Sequence, residues 1–376
     1  MTQLLSFMAD IAREGAGPAT SFPPPARELD LLLYAPCPVK LVMKDAVDRV
    51  SADMAARGLP PLAMHVPMGC TSVEPYDPLR FETDEAALPG VIASIGFGDF
   101  WQRGFAERFA ETFEAVRPQT VSPLHEQAGM LDPRGIYTIY GCTPYLFVVD
   151  LARLDNVPPP RTWAELLEPR YSGRITMCGD GDDMADAVLM SVYKDFGLEG
   201  IKRLAESCRG FMHSSTMTKA AGAKSAGGSA SGDKDSRAGA IYIMPAFFAC
   251  STRQPDSVRV IWPEDGAAAS PLYFLAKKSE KQRLAPLLEC LTTGFAAIPS
   301  AAWFAPLALD AARSPLPPEA SLKWVGWDFI RSRDINALRD QLNAEFRTLH
   351  RARVAALQAN GQTKGPANGQ AGACGS

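Results

Sequence analysis

From Leu29 onward, short apolar runs alternate with longer stretches whose apolar residues recur at helical spacing. This alternation confines the chain, because two neighbouring parallel strands need a crossover long enough to hold a helix. The run 31–36 reads as a strand, and Val39, Val42, Val47, Val50 and Met54 after it share one helix face. Gly58 closes that helix, and further strands are expected at 62–67 and 91–95. The fold class is therefore α/β, with a largely parallel sheet.

Residues 161–180, RTWAELLEPRYSGRITMCGD, are the densest local signature. Thr162 and Glu165 form a capping box, so a helix starts there. Pro169 stops it, Gly173 permits a turn, and 175–177 make an interior strand ending at Cys178-Gly179-Asp180. Upstream, 136–149 reads as two strand-like halves broken by Gly141-Cys142-Thr143-Pro144. Downstream, 258–276 carries an acidic-Gly turn, small residues, Ser-Pro and a strand.

Segments 161–180 and 258–276 resemble the solute-binding proteins of ABC transporters, in the branch of ferric-iron, thiamine and polyamine binders. The resemblance implies a two-lobed, type II periplasmic-binding-protein-like fold with a mostly parallel sheet in each lobe, hinged by two crossover segments near Cys142 and Ala268. Lobe one would hold 29–141 and 269–358, and lobe two 142–268 with a flexible insert at 220–238. An N-terminal extension (1–28) and a disordered tail (359–376) stand outside. The helices after Lys277 are expected to pack back onto lobe one. The implied work is reversible capture of a metal ion, metal complex or small organic or anionic solute, without catalysis, and docking on an ABC permease if the protein is exported. Ferric-binding members present consecutive tyrosines to the metal, and this chain has no Tyr-Tyr.

The 376 residues are 47% hydrophobic, enough for two domain cores. A formal charge of −4 without a basic run leaves no footprint for nucleic acid. No apolar stretch has bilayer-spanning length. The start shows no positively charged n-region and no uninterrupted h-region, so the expectation is a cytoplasmic protein as written, or a periplasmic one if the true start lies upstream. A cytosolic descendant would act as a ligand or metal sensor or carrier. The eight cysteines include no CxxC pair, which removes zinc-ribbon and thioredoxin readings and favours free thiols. Walker A, dinucleotide, HExxH and GxSxG motifs are missing.

In open parallel sheets, ligands bind outside the carboxyl ends of the strands. The expected site residues are therefore Cys37 and Pro38, Cys70 and Thr71, Gly96, Gly98 and Asp99, Cys142 and Thr143, Cys178 and Asp180, and Pro245. Ser214 and Ser215 join them as hydroxyls capping a helix toward the cleft. Cys37 is expected as an N-cap with Pro38 at the first helical position, where a thiolate would be favoured, and a Cys37-dependent enzyme is the alternative from another class. Cys37, Cys70, Cys142 and Cys178 are candidate thiolate ligands for a transition metal or iron–sulfur cluster, against the plainer reading of packed small hydrophobes. Asp180, with Asp182 and Asp183, is a cation ligand or a helix-start acid. Phe97, Phe100 and Trp101 offer ring faces to an organic cation, or pack.

Overall fold

Among the described residues, ten strands hydrogen-bond into one sheet. They are β1 (Leu31–Leu33), β2 (Met64–His65), β3 (Val91–Ile95), β4 (Thr138–Asp150), β5 (Ile175–Cys178), β6 (Cys208–Met212), β7 (Ile241–Pro245), β8 (Val258–Ile261), β9 (Ala267–Ala276) and β10 (Leu322–Lys323). The helices are α1 (Cys37–Ala56), α2 (Arg103–Arg108), α3 (Pro123–Gln127), α4 (Trp163–Leu166), α5 (Asp186–Ser207), α6 (Ser214–Ala220), α7 (Ala246–Ser251), α8 (Ala285–Glu289), α9 (Phe295–Ala297), α10 (Trp327–Arg331) and α11 (Ile335–Gln362). The computed structural model describes residues 24–68, 75–179, 185–223, 237–253, 256–308 and 314–362. None of its helices is long and apolar enough to cross a membrane.

The strand order is β2-β1-β3-β9-β4-β7-β5-β6, with β8 on β4 and β10 on β9. One end is parallel, β2-β1-β3, and so is the other, β7-β5-β6. Between them the pairings are antiparallel. β4 lies on β9 through Tyr145 and on β7 from Tyr145 onward, while the second half of β9 lies on β3. Two long opposed strands thus belong to both ends, which is the two-lobed, type II arrangement, and their opposition makes the middle antiparallel. Cys142 pairs with Pro271 and Ala268 with Tyr145, so the two expected crossings lie side by side.

The break expected at Gly141–Pro144 is not an interruption. β4 continues through it, and a register shift between Ile139 and Gly141 bulges Tyr140. A Cβ on Gly141 would lie 3.0 Å from the Phe304 carbonyl and 3.1 Å from the Phe295 ring, so glycine is what lets the strand pass beneath them.

The two signature segments meet. The Glu165 amide donates to Thr162 Oγ1 at 3.1 Å, and Glu165 Oε2 accepts from the Arg161 amide at 2.8 Å, so the box closes one residue ahead of the N-cap. The Trp163 indole donates to the Gly266 carbonyl at 2.9 Å, and its amide donates to Asp265 at 3.1 Å. Arg161 pairs with Glu264. The turn entering β9 is thereby fastened to α4.

Three apolar clusters form the core. One packs Val39, Met43 and Val47 of α1 with β1 and β3; another packs α6 and α7 with β4 and β7. The largest runs through both ends, from Phe97 and Trp101 through Tyr137 to Trp163, Val188, Leu342 and Phe346. The long C-terminal helix departs from expectation: α11 lies along α5, and Arg353 donates to the Cys208 carbonyl at 2.8 Å. Leu342 and Phe346 bury their side chains completely in the shared cluster, which draws the helix there rather than back onto β1–β3.

Candidate ligand site

β3 ends in a tight turn at Gly96, where φ is +65°, a region costly for a side chain. The Gly96 amide donates to the Pro271 carbonyl of β9 at 2.8 Å. A Cβ at Gly96 would stand 3.7 Å from Ser270 Oγ and 4.0 Å from Asp186 Oδ2. Thr143 of β4 is directly opposite Ser270, so both side chains leave the same face. One junction therefore collects a β3 turn, both crossover strands and the first residue of α5. Asn343 of α11 donates to Asp186 Oδ1 at 3.4 Å.

A second group sits where β5, β6 and β7 end. Cys178 Sγ lies 2.8 Å from Ser214 Oγ, tying β5 to the start of α6. His213 is the N-cap of α6, and its Nδ1 accepts from the Ser215 amide at 3.3 Å and lies 2.8 Å from Ser215 Oγ. The imidazole, not the serine hydroxyls, does the capping. Ser214 is instead buried on Cys178. Pro245 closes β7 and is the N-cap of α7, whose Phe248 ring lies 6.4 Å from the His213 ring.

Several expected residues are placed differently. Pro36, with φ −60° and ψ 136°, is the N-cap of α1, so Cys37 and Pro38 are its first two residues. Cys37 is half-buried there. Gly98 and Asp99 lead into a 3₁₀ turn, Asp99–Trp101. Trp101 donates to the Gly96 carbonyl at 2.9 Å and stacks on Tyr137 at 4.4 Å, while Phe97 stacks on Trp324 at 5.7 Å. Phe97, Phe100 and Trp101 are all buried. Their faces are engaged in the core, not offered to a cation.

Cys142 is not at a strand end. It lies mid-strand in the largest cluster, and burial pushes its thiol well above the ordinary range. Burial likewise pushes Cys208 up to about 12 and Cys250 up to about 11. Such thiols stay protonated and unreactive at neutral pH. Among the described residues no three His, Cys, Asp or Glu side chains gather to hold a metal ion, so Cys37, Cys142 and Cys178 do not form a thiolate cluster. None of the six described cysteines is in a disulfide with another described residue. Cys70, Thr71 and Asp180 lie outside the described residues.

Ser270, Asp186, His213 and Asn343 are the junction and strand-end residues that sequence reasoning missed. A lone hydroxyl inside an apolar strand run was the available signal for Ser270. Nothing local marks Asn343, which reaches the site only through the seat of α11 on α5.

The fold matches several solved structures closely in extent. An ABC transporter protein from Clostridium perfringens ATCC 13124 superposes with a TM-score of 0.59 at 12% identity, covering 86% of this chain and 99% of that one. The apo ferric ion-binding protein A of Pasteurella haemolytica gives 0.54 at 11%, with coverages of 86% and 98%. Iron-bound HitA from Pseudomonas aeruginosa gives 0.53 at 13%, with 85% and 98%. No curated protein matches the chain in sequence. A sequence model of bacterial extracellular solute-binding proteins matches residues 86–333. With that match spanning well over half its length, the chain belongs to the bacterial extracellular solute-binding protein family.

Proposed function

We propose that this solute-binding protein takes up a small organic solute bearing a cationic or hydrogen-bond-donating group, and delivers it to an ABC permease outside the cytoplasmic membrane. Gly96, Thr143, Ser270 and Asp186, supplied to one junction by β3, β4, β9 and α5, are the observation that carries the reading. A ligand touching both lobes favours the closed arrangement over the open one by the difference in its contacts, and that difference drives closure about β4 and β9. The carboxylate of Asp186 supplies an acceptor for a cationic or donor group, and the two hydroxyls can donate or accept. Iron named in the solved relatives makes a ferric complex the comparison to exclude.

Thermal shift and calorimetry with thiamine, spermidine and ferric citrate test this. At a hundredfold excess over Kd, binding stabilises the fold by about 2.7 kcal/mol. One of the two organic cations is expected to raise the melting temperature, and Asp186→Asn to weaken that binding about tenfold or more, as loss of a charged hydrogen bond does. Stabilisation by ferric citrate alone, or equal affinity in Asp186→Asn, would overturn the ligand class. Cys37 is expected to alkylate slowly near neutral pH whether or not solute is bound; fast stoichiometric labelling blocked by solute would favour a nucleophilic enzyme instead.

A further inference from the structure

The end of β5 away from Cys178 opens on a different chemistry. A cavity of about 540 Å³ is lined there by Arg153 from the turn after β4, Arg174 just before β5, and Arg209 on β6. Asp155 is the sole carboxylate on its wall, and that side chain is 75% exposed, so the lining sets three guanidiniums against one carboxylate, with buried Asp150 behind Arg153 as a second. Beside the cavity, Arg353 Nη2 of α11 sits over Gly173, where any side chain would collide with it. A Cβ at Gly239 would run into the Arg174 carbonyl and lie 2.9 Å from Thr176 Oγ1, so glycine there lets the chain pass close against the start of β5.

Arg153 reaches the Ala238 and Ala223 carbonyls at 3.5 and 3.4 Å and buried Asp150 at 3.3 Å. Arg174 spends only Nη1, spread over the Arg153 carbonyl at 3.4 Å, the Leu154 carbonyl at 3.2 Å and Asp155 at 3.4 Å. Its Nε and Nη2 make no bond to a described residue. Like charges brought together from three separate places in the chain repel one another, and planar guanidinium forks fit a tetrahedral oxyanion two bonds at a time. We infer that this cavity is a binding site for a phosphoryl oxyanion, free or carried on a lipid headgroup. β5 separates it from Cys178 by roughly 13 Å of strand rise, and it shares no lining residue with the solute junction, so it does not depend on that reading.

The full-length protein is titrated with pyrophosphate by calorimetry and ³¹P NMR, and mixed with phosphatidylglycerol or phosphatidylcholine vesicles in flotation. Arg209→Gln is the test variant, because Arg209 is exposed on β6. Arg203→Gln, an exposed arginine of α5 paired with Glu199, is the control. Saturable pyrophosphate binding, weakened about tenfold or more in Arg209→Gln and unchanged in Arg203→Gln, supports a free phosphoryl ligand. Flotation with phosphatidylglycerol alone, lost in Arg209→Gln, supports a headgroup. Arg209→Lys, which keeps the charge without the fork, should retain part of either signal, and near-ultraviolet circular dichroism checks that each variant is folded. Absence of both signals, or equal losses in the two glutamine variants, overturns the site.

Discussion

His125 is fully buried on α3, with Nε2 2.7 Å from the Ala305 carbonyl. Burial lowers its pKa to about 4, with the carbonyl bond opposing the shift, so the ring is neutral and its Nε2–H is the donor. An unfolded histidine titrates near 6.5 and takes up its proton first as pH falls. The stability owed to the neutral ring is therefore whole above about 6.5, drains between there and about 4, and is gone below. That gap is worth about 3 kcal/mol. Urea melts at pH 7, 5.5 and 4 should show the acid loss, and His125→Gln, which keeps a donor for Ala305, should flatten it; an unchanged acid limb would assign the loss to other groups. Tyr140 makes the opposite case. Its hydroxyl is buried with no hydrogen-bond partner among the described residues, while its ring meets Phe295 edge-on at 5.0 Å. Tyr140→Phe keeps the packing and removes an unsatisfied group, so its unfolding free energy in urea melts should rise, by up to about 1 kcal/mol. A fall would mean that the hydroxyl has found a partner.

α4 is four residues long and survives because both its ends are fastened. Thr162→Ala removes the acceptor of the Glu165 amide and should cost about 1 kcal/mol in a denaturant melt. Trp163→Phe keeps an aromatic ring against Phe147 but deletes the bond to Gly266 and part of a fully buried side chain, so its further cost sums that hydrogen bond and the space left behind. If Thr162→Ala costs nothing, the bond from Arg161 to Glu165 is holding the turn alone. What was legible in the sequence follows from the same distinction between near and far. The capping residues, the helix after Pro36 and the strands at 91–95 and 175–177 are written in neighbours a few positions apart, and Gly96 and Cys178 were named from the strand ends so located, whereas Thr143 came from a break that β4 does not have and Ser214 from an expected helix cap. The continuity of β4 was hidden, because a glycine and a proline usually punctuate a strand. Here a bulge at Tyr140 and a close pass under Phe304 accommodate the glycine, and Pro144 stays in register opposite Ala269. Ser270 and Asp186 enter the junction only through pairings formed more than a hundred residues along the chain, which no local pattern encodes.

The two ends of the molecule are joined by more than their crossover strands. Lys323 of β10 pairs with Asp195 of α5 at 2.7 Å and with Asp265 at 3.2 Å, and Lys194 donates to the Trp324 carbonyl at 3.3 Å. Arg331 of α10 pairs with Asp132 and lies over the Trp327 ring at 5.0 Å, anchoring the start of the C-terminal arm beside Tyr137. From that anchor α11 runs along α5 to Cys208, so a single stretch of chain is bound to both ends. Because one apolar cluster also runs through both, neither end should keep its fold when the other melts. Calorimetry is expected to give a single transition, with calorimetric and van't Hoff enthalpies equal. Leu342→Ala empties a fully buried position on the arm and should cost about 2–5 kcal/mol. The way this cost appears separates two architectures. If the arm is a structural member of a shared core, the one transition moves to lower temperature intact. If α11 is a clasp over two self-sufficient lobes, the same substitution splits the transition in two and leaves the upper midpoint where it was.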